Sequence, residues 1–147
     1  MCLETVDDPK TINEFKKTIP SKGITVYKVV FVGNGKYYPM HEYRLIPFKQ
    51  GLDEAITTEK IRTHIWTDNY ITYQAGFHFF TNKKDAEKYK KYVESNHFKD
   101  CPDFAIIECV IKKSWITTVG KNSICFNSYG QTVVTNKAIF PEFKEEE

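Results

Sequence analysis

The sequence predicts a single α+β domain with a mostly antiparallel sheet, one long amphipathic helix and a short N-terminal helix. Short runs of β-branched and aromatic residues alternate with turn residues, which is typical of antiparallel strands. One segment after residue 82 places apolar residues at helical spacing. The 147 residues, 41% of them hydrophobic, are enough for one domain with its own core. Residues 1–10 are expected to form an acidic arm, and residues 142–147 an acidic tail.

The first third of the chain contains a short helix and a clear strand. Residues 11–14, Thr-Ile-Asn-Glu, match a capping box and predict a helix from residue 12 to about residue 18, ended before Pro20. Residues 24–32 form an apolar run that predicts a central strand. Residues 33–36, Gly-Asn-Gly-Lys, predict a tight turn after it.

The middle of the chain has a weaker pattern. A short strand is predicted around residues 43–46, and the periodicity is then lost from residue 47 to residue 70. A long loop is expected there, with Ile65 and Trp66 as its anchors in the core. Long ordered loops in compact domains are often functional, so this region is a candidate for binding.

The strongest local pattern is a strand followed by a helix. Residues 77–81 are β-branched or aromatic at four of five positions, which predicts a buried strand. Asn82 then supplies an N-cap, and Asp85 complements the positive end of the helix dipole. One apolar stripe runs along the predicted helix: Ala86, Tyr89 and Val93. The lysines of this segment lie largely off that stripe.

The last third of the chain predicts strands only. Residues 104–111 are the most hydrophobic run and are expected to form a central strand. Further strands are predicted at residues 115–119, 124–126 and 132–140, with a turn at residues 120–122. The whole chain is therefore expected to contain six to eight strands, mostly antiparallel.

Charge gives weak support for a nucleic acid partner. The net charge is +2, and only two of the 21 basic residues, Arg44 and Arg62, are arginine. Arginine is the residue that reads phosphates and base edges with a planar fork, so its scarcity weighs against dedicated nucleic acid recognition. The sequence leaves a nucleic acid partner open.

The sequence predicts a cytoplasmic protein with no membrane segment, no metal and no cofactor. No run approaches the ~18 apolar residues of a membrane-spanning helix. Residues 1–8 lack the basic and apolar regions of a signal peptide. The four cysteines are widely spaced, as expected of reduced thiols, and none of the four histidines has ligand spacing to a cysteine.

Four residues are candidates for catalysis: Cys2, Lys28, His78 and Glu108. If Met1 were removed, Cys2 would present a thiol beside an α-amine, which can act as nucleophile and base. The alternative is an ordinary thiol in a mobile arm. His78 lies in an apolar strand and points away from its neighbours, either into a pocket as an acid or base, or as a packed residue with a satisfied hydrogen bond.

Glu108 lies in the middle of the most apolar run of the chain. A buried carboxylate is costly unless it is paired, and Lys28, also in the middle of a strand, is its natural partner. An ion pair of Lys28 with Glu108, with His78 nearby, is therefore the most specific candidate site that the sequence predicts. The alternative is that both residues face solvent on an open sheet face.

The candidates for binding are aromatic: Tyr27, Tyr43, Trp66 and Phe80. Tyrosines near the middle loop, including Tyr37, are able to stack nucleobases beside the lysine-rich helix. The alternative is ordinary packing in the core and at its rim.

Several short motifs resemble a group of small bacterial and phage proteins that have no established activity. They are Met1-Cys2-Leu3, Val26 to Val30, Gly76 to Thr81, Asp85-Ala86 and Val133 to Lys137. The resemblance covers most of the chain and implies a cytoplasmic protein of phage origin.

A more distant resemblance is to the ADP-ribosyltransferase-like fold. Gly76 to Tyr89 is similar in outline to the strand and alanine-bearing helix that lie beside the nicotinamide pocket of that family. The resemblance implies an NAD pocket near Lys28 and His78, with Glu108 at the place of the catalytic glutamate. That family holds the NAD ribose with a histidine or arginine, whereas this chain has Lys28 or a neighbour at that place.

Three functions remain as hypotheses, and whether the protein is an enzyme stays open. The leading one is a small interaction or regulatory protein, encoded by a phage and binding a host protein, because no strong catalytic motif is present. The alternatives are a nucleotide- or NAD-binding protein with a pocket near Lys28, His78 and Glu108, and a nucleic acid binder that uses the lysine-rich helix. An exposed apolar patch favours the first, a deep pocket with converging residues the second, and a basic face with exposed tyrosines the third. The oligomeric state is not predicted.

Overall fold

The computed structural model describes residues 3–39, 47–55, 60–64, 70–95, 103–125 and 128–144. It contains two α-helices, α1 (Pro9–Lys17) and α2 (Lys83–Ser95), one large antiparallel sheet and a separate two-stranded hairpin. The large sheet has nine strands: β1 (Thr5–Val6), β2 (Ile24–Gly33), β3 (Lys36–Tyr38), β4 (Gly51–Glu54), β7 (Phe77–Phe80), β8 (Asp103–Ile111), β9 (Ile116–Cys125), β10 (Ser128–Thr135) and β11 (Lys137–Phe140). The hairpin consists of β5 (Lys60–His64) and β6 (Tyr70–Gln74).

The order of strands across the sheet is β1-β9-β10-β7-β2-β8-β11-β4, with β3 paired to β2 at its end. One face, called the α1 face, carries the larger core, and Ile12 and Phe15 of α1 pack against it. The opposite face, called the α2 face, carries a smaller core formed with α2. Side chains alternate between these two faces along every strand.

The two strands predicted to be central lie side by side in the middle of the sheet. β2 and β8 pair along almost their whole length, from Ile24 opposite Ile111 to Val32 opposite Asp103. The turn that follows β2 was also predicted correctly, because Asn34 and Gly35 both have positive φ, at 52° and 73°. This backbone suits a two-residue hairpin whose twist matches that of its strands.

The strand and helix around residue 80 agree with the sequence prediction in position. All four residues of β7 are buried, and the Asn82 side chain accepts a hydrogen bond from the Lys84 N–H at 2.9 Å. The residues of α2 that are buried share one face: Ala86, Tyr89 and Val93. With 13 residues the helix has ordinary rather than unusual length.

The N-terminal segment differs from the predicted acidic arm. Leu3 is fully buried, and β1 pairs with β9 through Thr5 opposite Lys121. α1 begins at Pro9, three residues earlier than predicted, because Asp8 is the N-cap and its carboxylate accepts from the Thr11 N–H at 2.7 Å. Proline at the first helical position loses no hydrogen bond, so Asp-Pro here is a stronger start signal than the predicted capping box.

Two predicted irregular regions contain strands instead. β4, β5 and the start of β6 lie in the segment that was predicted as a long loop. Residues 120–122 are not a turn but the middle of β9, where Gly120 lies against Thr5 O and Leu3 Cδ1. A glycine is needed there because a Cβ would collide with the backbone of β1. The strand predicted at residues 43–46 lies outside the described residues.

No helix in the described part of the chain is long and apolar enough to cross a membrane.

Candidate functional site

The predicted ion pair of Lys28 with Glu108 is wrong, because the two residues lie on opposite faces of the sheet. In the pairing of β2 with β8, Lys28 is opposite Ile107, and Glu108 is opposite Tyr27. Lys28 therefore belongs to the α1 face, and Glu108 to the α2 face. A difference of one residue in register decides this outcome, since each such shift turns every side chain to the other face.

Lys28 is a partly buried lysine among aromatic rings. Its Nζ donates a hydrogen bond to the backbone carbonyl of His78 at 2.9 Å. The ammonium also lies 5.5 Å from the ring centroid of Phe79 and 5.8 Å from that of Phe48, within the range of cation–π attraction. Lys28 thus holds β2, β7 and the segment before β4 together on the α1 face.

Cys109 lies on the same face and is fully buried. Burial raises the pKa of its thiol to about 12, and the positive charge of Lys28 opposes this only in part. The thiol is therefore protonated at neutral pH, and a protonated buried thiol is not a nucleophile.

Glu108 is a surface residue. Its side chain is 59% exposed and lies 3.8 Å from the Lys83 ammonium, which is itself 56% exposed. A pair this open to solvent contributes little to stability. The structure therefore agrees with the alternative interpretation of Glu108, a residue on the solvent side of the sheet.

His78 is buried on the α2 face and takes part in a chain of hydrogen bonds. Its Nδ1 lies 3.0 Å from the Gly76 carbonyl, which only accepts, so in the neutral ring Nδ1 carries the proton. Nε2 then accepts from the Tyr73 hydroxyl at 2.9 Å, and the same oxygen accepts from the Leu3 N–H at 2.8 Å. Both ring nitrogens are thus engaged inside the protein, where they connect β7, β6 and the N-terminal segment.

The aromatic binding candidates that the structure describes lie in or beside the core. Phe80 is fully buried, and its ring centroid is 5.6 Å from that of Tyr89 in α2. Tyr27 is half-buried and packs against the same cluster. The other two binding candidates, Tyr43 and Trp66, and the catalytic candidate Cys2 lie outside the residues whose side chains the structure describes.

A row of three exposed residues and one half-buried residue, Val110, crosses four strands on the α2 face, outside the core formed with α2. Leu52 of β4 pairs with Ile139 of β11, Ile139 pairs with Val110 of β8, and Val110 pairs with Thr25 of β2. Leu52 is 49% exposed and Ile139 is 37% exposed. We call these four residues the open row, because they form a continuous strip that is mostly apolar and open to solvent.

The open row ends at an edge strand. β4 is the last strand of the large sheet and has only four residues, and no strand pairs with its outer side within the described residues. Beside the row, Lys137 and Glu54 form a pair at 3.6 Å in which the glutamate side chain is 69% exposed. An apolar strip with an acidic residue at its end therefore adjoins an edge with which no described strand pairs, and on which the Glu54 N–H donates to the Asp53 carboxylate at 2.9 Å.

The solvent side of α2 is basic but mixed. Lys84, Lys88 and Lys91 are exposed, and Tyr92 beside them is 45% exposed. Glu94 interrupts this face and binds Lys90 at 3.0 Å. One exposed tyrosine among mixed charges does not make the continuous, tyrosine-lined basic face expected of a nucleic acid binder.

The open row was not predicted from the sequence, although one apolar segment of the sequence pointed to it. Residues 138–140, Ala-Ile-Phe, are apolar on both faces of their strand. Ala138 and Phe140 fill the core of the α1 face, so Ile139 is an apolar residue that this core does not need. Its neighbours in the row come from distant parts of the chain and were not visible as a group.

Comparison with known proteins gives no identity. No family model, no curated protein and no solved structure matches this chain. Within the described residues, no group of three or more histidine, cysteine, aspartate or glutamate residues is placed to hold a metal ion.

Proposed function

We propose that this protein is a protein-interaction module that binds an extended segment of a partner protein along strand β4. The observation that carries the proposal is the open row, which meets the outer edge of the sheet at Leu52. Soluble chains usually cover apolar strips of this kind or interrupt them with charges, and exposed strips next to polar residues mark interaction sites. The three catalytic candidates that the structure describes lie on two faces and form no common pocket, so we do not base the function on them.

An added strand matches both features of this edge. Its backbone would form hydrogen bonds along the outer side of β4, as in other cases of β-strand addition, and the Glu54 N–H would exchange its present acceptor, the Asp53 carboxylate at 2.9 Å, for a carbonyl of the added strand. Every second side chain would extend the open row beside Leu52 and remove apolar surface from water. One segment therefore satisfies the edge and the strip together, which a helix laid across the strip would not do.

The charges at this edge define the chemistry of the segment. Glu54 lies two residues after Leu52 on the same face, and its carboxylate is mostly exposed despite the Lys137 contact. The matching segment has an apolar residue beside Leu52 and a lysine or arginine two positions away, opposite Glu54. The resemblance to phage and bacterial proteins makes a host protein the expected source of such a segment.

The test is selection of binding peptides from a random displayed library with the purified protein. We expect enrichment of peptides with alternating apolar residues and a basic residue two positions from one of them. Leu52→Lys places a charge in the open row and on the edge strand, so it should abolish this binding. Lysine on an edge strand is a known obstacle to strand pairing.

The matched control is Val6→Lys. Val6 is also an exposed apolar residue on an edge strand, 38% exposed, but it lies in β1 at the opposite end of the sheet. Peptide binding that survives Val6→Lys and is lost in Leu52→Lys supports the proposal. Binding that is lost in both variants or in neither, or selection of peptides without the alternating pattern, would reject it.

A further inference from the structure

A cleft of about 340 Å³ opens between the β2–β3 hairpin, the segment before β4 and the end of β11 with the segment after it. Its volume lies at the lower end of the range for small-molecule sites. The lining combines aromatic rings with two lysines: Lys36, Tyr37, Phe48, Lys49, Phe140 and Phe143. This combination is separate from the open row and is not used by the proposed function.

The aromatic wall of the cleft is held in place by the core. The Phe48 ring stacks on Phe140 with centroids 4.5 Å apart and planes 12° apart. Phe140 is itself buried and packs edge-on against Phe77 at 5.1 Å. Lys28 lies near Phe48, 5.8 Å from its centroid. Because Phe140 is buried, the rings left for a flat ligand are those of the half-buried Phe48, Tyr37 and Phe143. A ring held as firmly as Phe48 loses little freedom when a ligand stacks on it.

The second wall is tied to the first by hydrogen bonds. The Tyr37 carbonyl accepts from the Phe48 N–H at 2.9 Å, and the Tyr37 hydroxyl accepts from the Lys144 N–H at 3.2 Å. The Phe143 ring lies beside Tyr37, with centroids 5.1 Å apart. These contacts join the hairpin to the segment after β11 and give the cleft a defined width.

The two lysines supply positive charge that the described residues do not neutralise. Both Lys36 and Lys49 are exposed, and within the described residues neither ammonium forms an ion pair. The nearest acidic residue in sequence, Asp53, accepts from the backbone N–H of Lys49 and from that of Glu54. Within the described residues, the cleft therefore combines two lysine ammonium groups that form no ion pair with aromatic rings, and the exposed Glu142, between two lining residues, pairs with neither lysine.

We infer that this cleft binds a nucleobase that carries a phosphate, a ligand of the mononucleotide class. Aromatic side chains stack on any nucleobase, because every base has a π-face. Lysine binds phosphate as a mobile point charge and does not require the planar fork of arginine, which this chain almost lacks. The small volume favours a single nucleotide over a longer strand.

The test is a titration of the protein with AMP, followed by NMR of the backbone amides and by calorimetry. We expect saturable shifts at Lys36, Tyr37, Lys49 and Phe143. Lys36→Gln with Lys49→Gln should weaken AMP about tenfold, since each lost contact is to a charged group. The matched control, Lys84→Gln with Lys88→Gln on α2, removes equal charge from an exposed site elsewhere and should change affinity less than about twofold.

Further titrations separate the affinity that comes from the base from the affinity that comes from the phosphate. Adenosine should bind about tenfold more weakly than AMP, and inorganic phosphate more weakly still. The inference is overturned if AMP causes no saturable shifts at these residues at about 10 mM. Equal weakening by the control pair or equal affinity for inorganic phosphate would also overturn it. An oligothymidylate that binds more than about tenfold tighter than any mononucleotide would instead make the cleft a nucleic acid site.

Discussion

The α2 face of the sheet has two halves that differ in what covers them. Under α2, Val29 and Phe104 are 5% and 8% exposed, whereas Leu52 and Ile139 in the open row are 49% and 37% exposed. Strands β2 and β8 run through both halves, and their members of the open row, Thr25 and Val110, are exposed and half-buried, respectively. A helix of 13 residues is only about 20 Å long and covers part of a wide sheet. Apolar residues beyond it contribute little to the core, which leaves them available to a partner.

The largest expected difference in unfolding free energy is between an alanine variant at Phe80 and one at Leu52. Phe80→Ala empties a fully buried site against Tyr89 of α2 and should lower the free energy of unfolding by about 3–5 kcal/mol. Leu52→Ala removes a half-exposed side chain and should change it by less than about 0.5 kcal/mol. Denaturant unfolding of both variants measures the difference. A large loss for Leu52→Ala would mean that the open row is part of the core.

The next largest loss of stability is expected when the hydrogen bonds between the N-terminal segment and β7 are broken. Tyr73→Phe removes the hydroxyl that accepts from the buried Leu3 N–H and should cost about 1–3 kcal/mol of unfolding free energy. The control is Tyr38→Phe, because Tyr38 is half-buried and its hydroxyl forms no hydrogen bond with any described residue. Similar values for the two variants would contradict the role given to Tyr73.

A similar loss of unfolding free energy is expected from a larger residue at the point where β1 meets β9. Gly120→Ala places a methyl group against Thr5 O and Leu3 Cδ1, and overpacking of this kind costs about 1–3 kcal/mol. Gly33→Ala is the matched control, since among the described residues its Cβ would meet only Tyr38, at 4.0 Å, and its φ is not positive. Thermal unfolding of both variants distinguishes a close approach at Gly120 from a general loss of glycine flexibility.

The smallest effect is a pH dependence at the start of α1. Hydrogen bonding from the backbone N–H of Thr11, and then from its hydroxyl, lowers the pKa of Asp8 below 3.8. A lowered pKa means that the cap stabilises the helix above pH 3.8 and that this contribution is lost as pH falls through the folded-state value. The Thr11 amide proton shift should follow this titration in the wild type. It should be flat in Asp8→Asn, which caps without a charge.

The parts of the fold that sequence predicted are those encoded by short continuous segments. β2, β7, α2 and β8 are long or strongly patterned, and local preference agrees with their burial. β4 and β5, Gly-Leu-Asp-Glu and Lys-Ile-Arg-Thr-His, carry few apolar residues and form through pairing with β11 and β6. Long-range pairing of this kind overrides weak local preference, and a single sequence does not show it.

Long-range strand pairing also decides where the residues of the candidate site lie, and the sequence does not show it. Lys28 and Glu108 were identified correctly as unusual polar residues within apolar runs, but which face each one occupies depends on the register of β2 against β8. Composition and pattern do not determine that register. The open row depends on this register and on two further strand pairings, so its members were visible in the sequence only as separate residues.

Peptide binding at β4 and the open row is tested most directly by amide hydrogen exchange, measured with and without a peptide that the protein selects. Strand addition at the edge predicts that the peptide slows exchange of amides in β4, from Gly51 to Glu54, while amides of β1 at the opposite edge are unchanged. Protection should be lost in Leu52→Lys and kept in Val6→Lys. Protection confined to β1 or α2, with no change in β4, would contradict the claim that the open row and its edge strand form the binding surface.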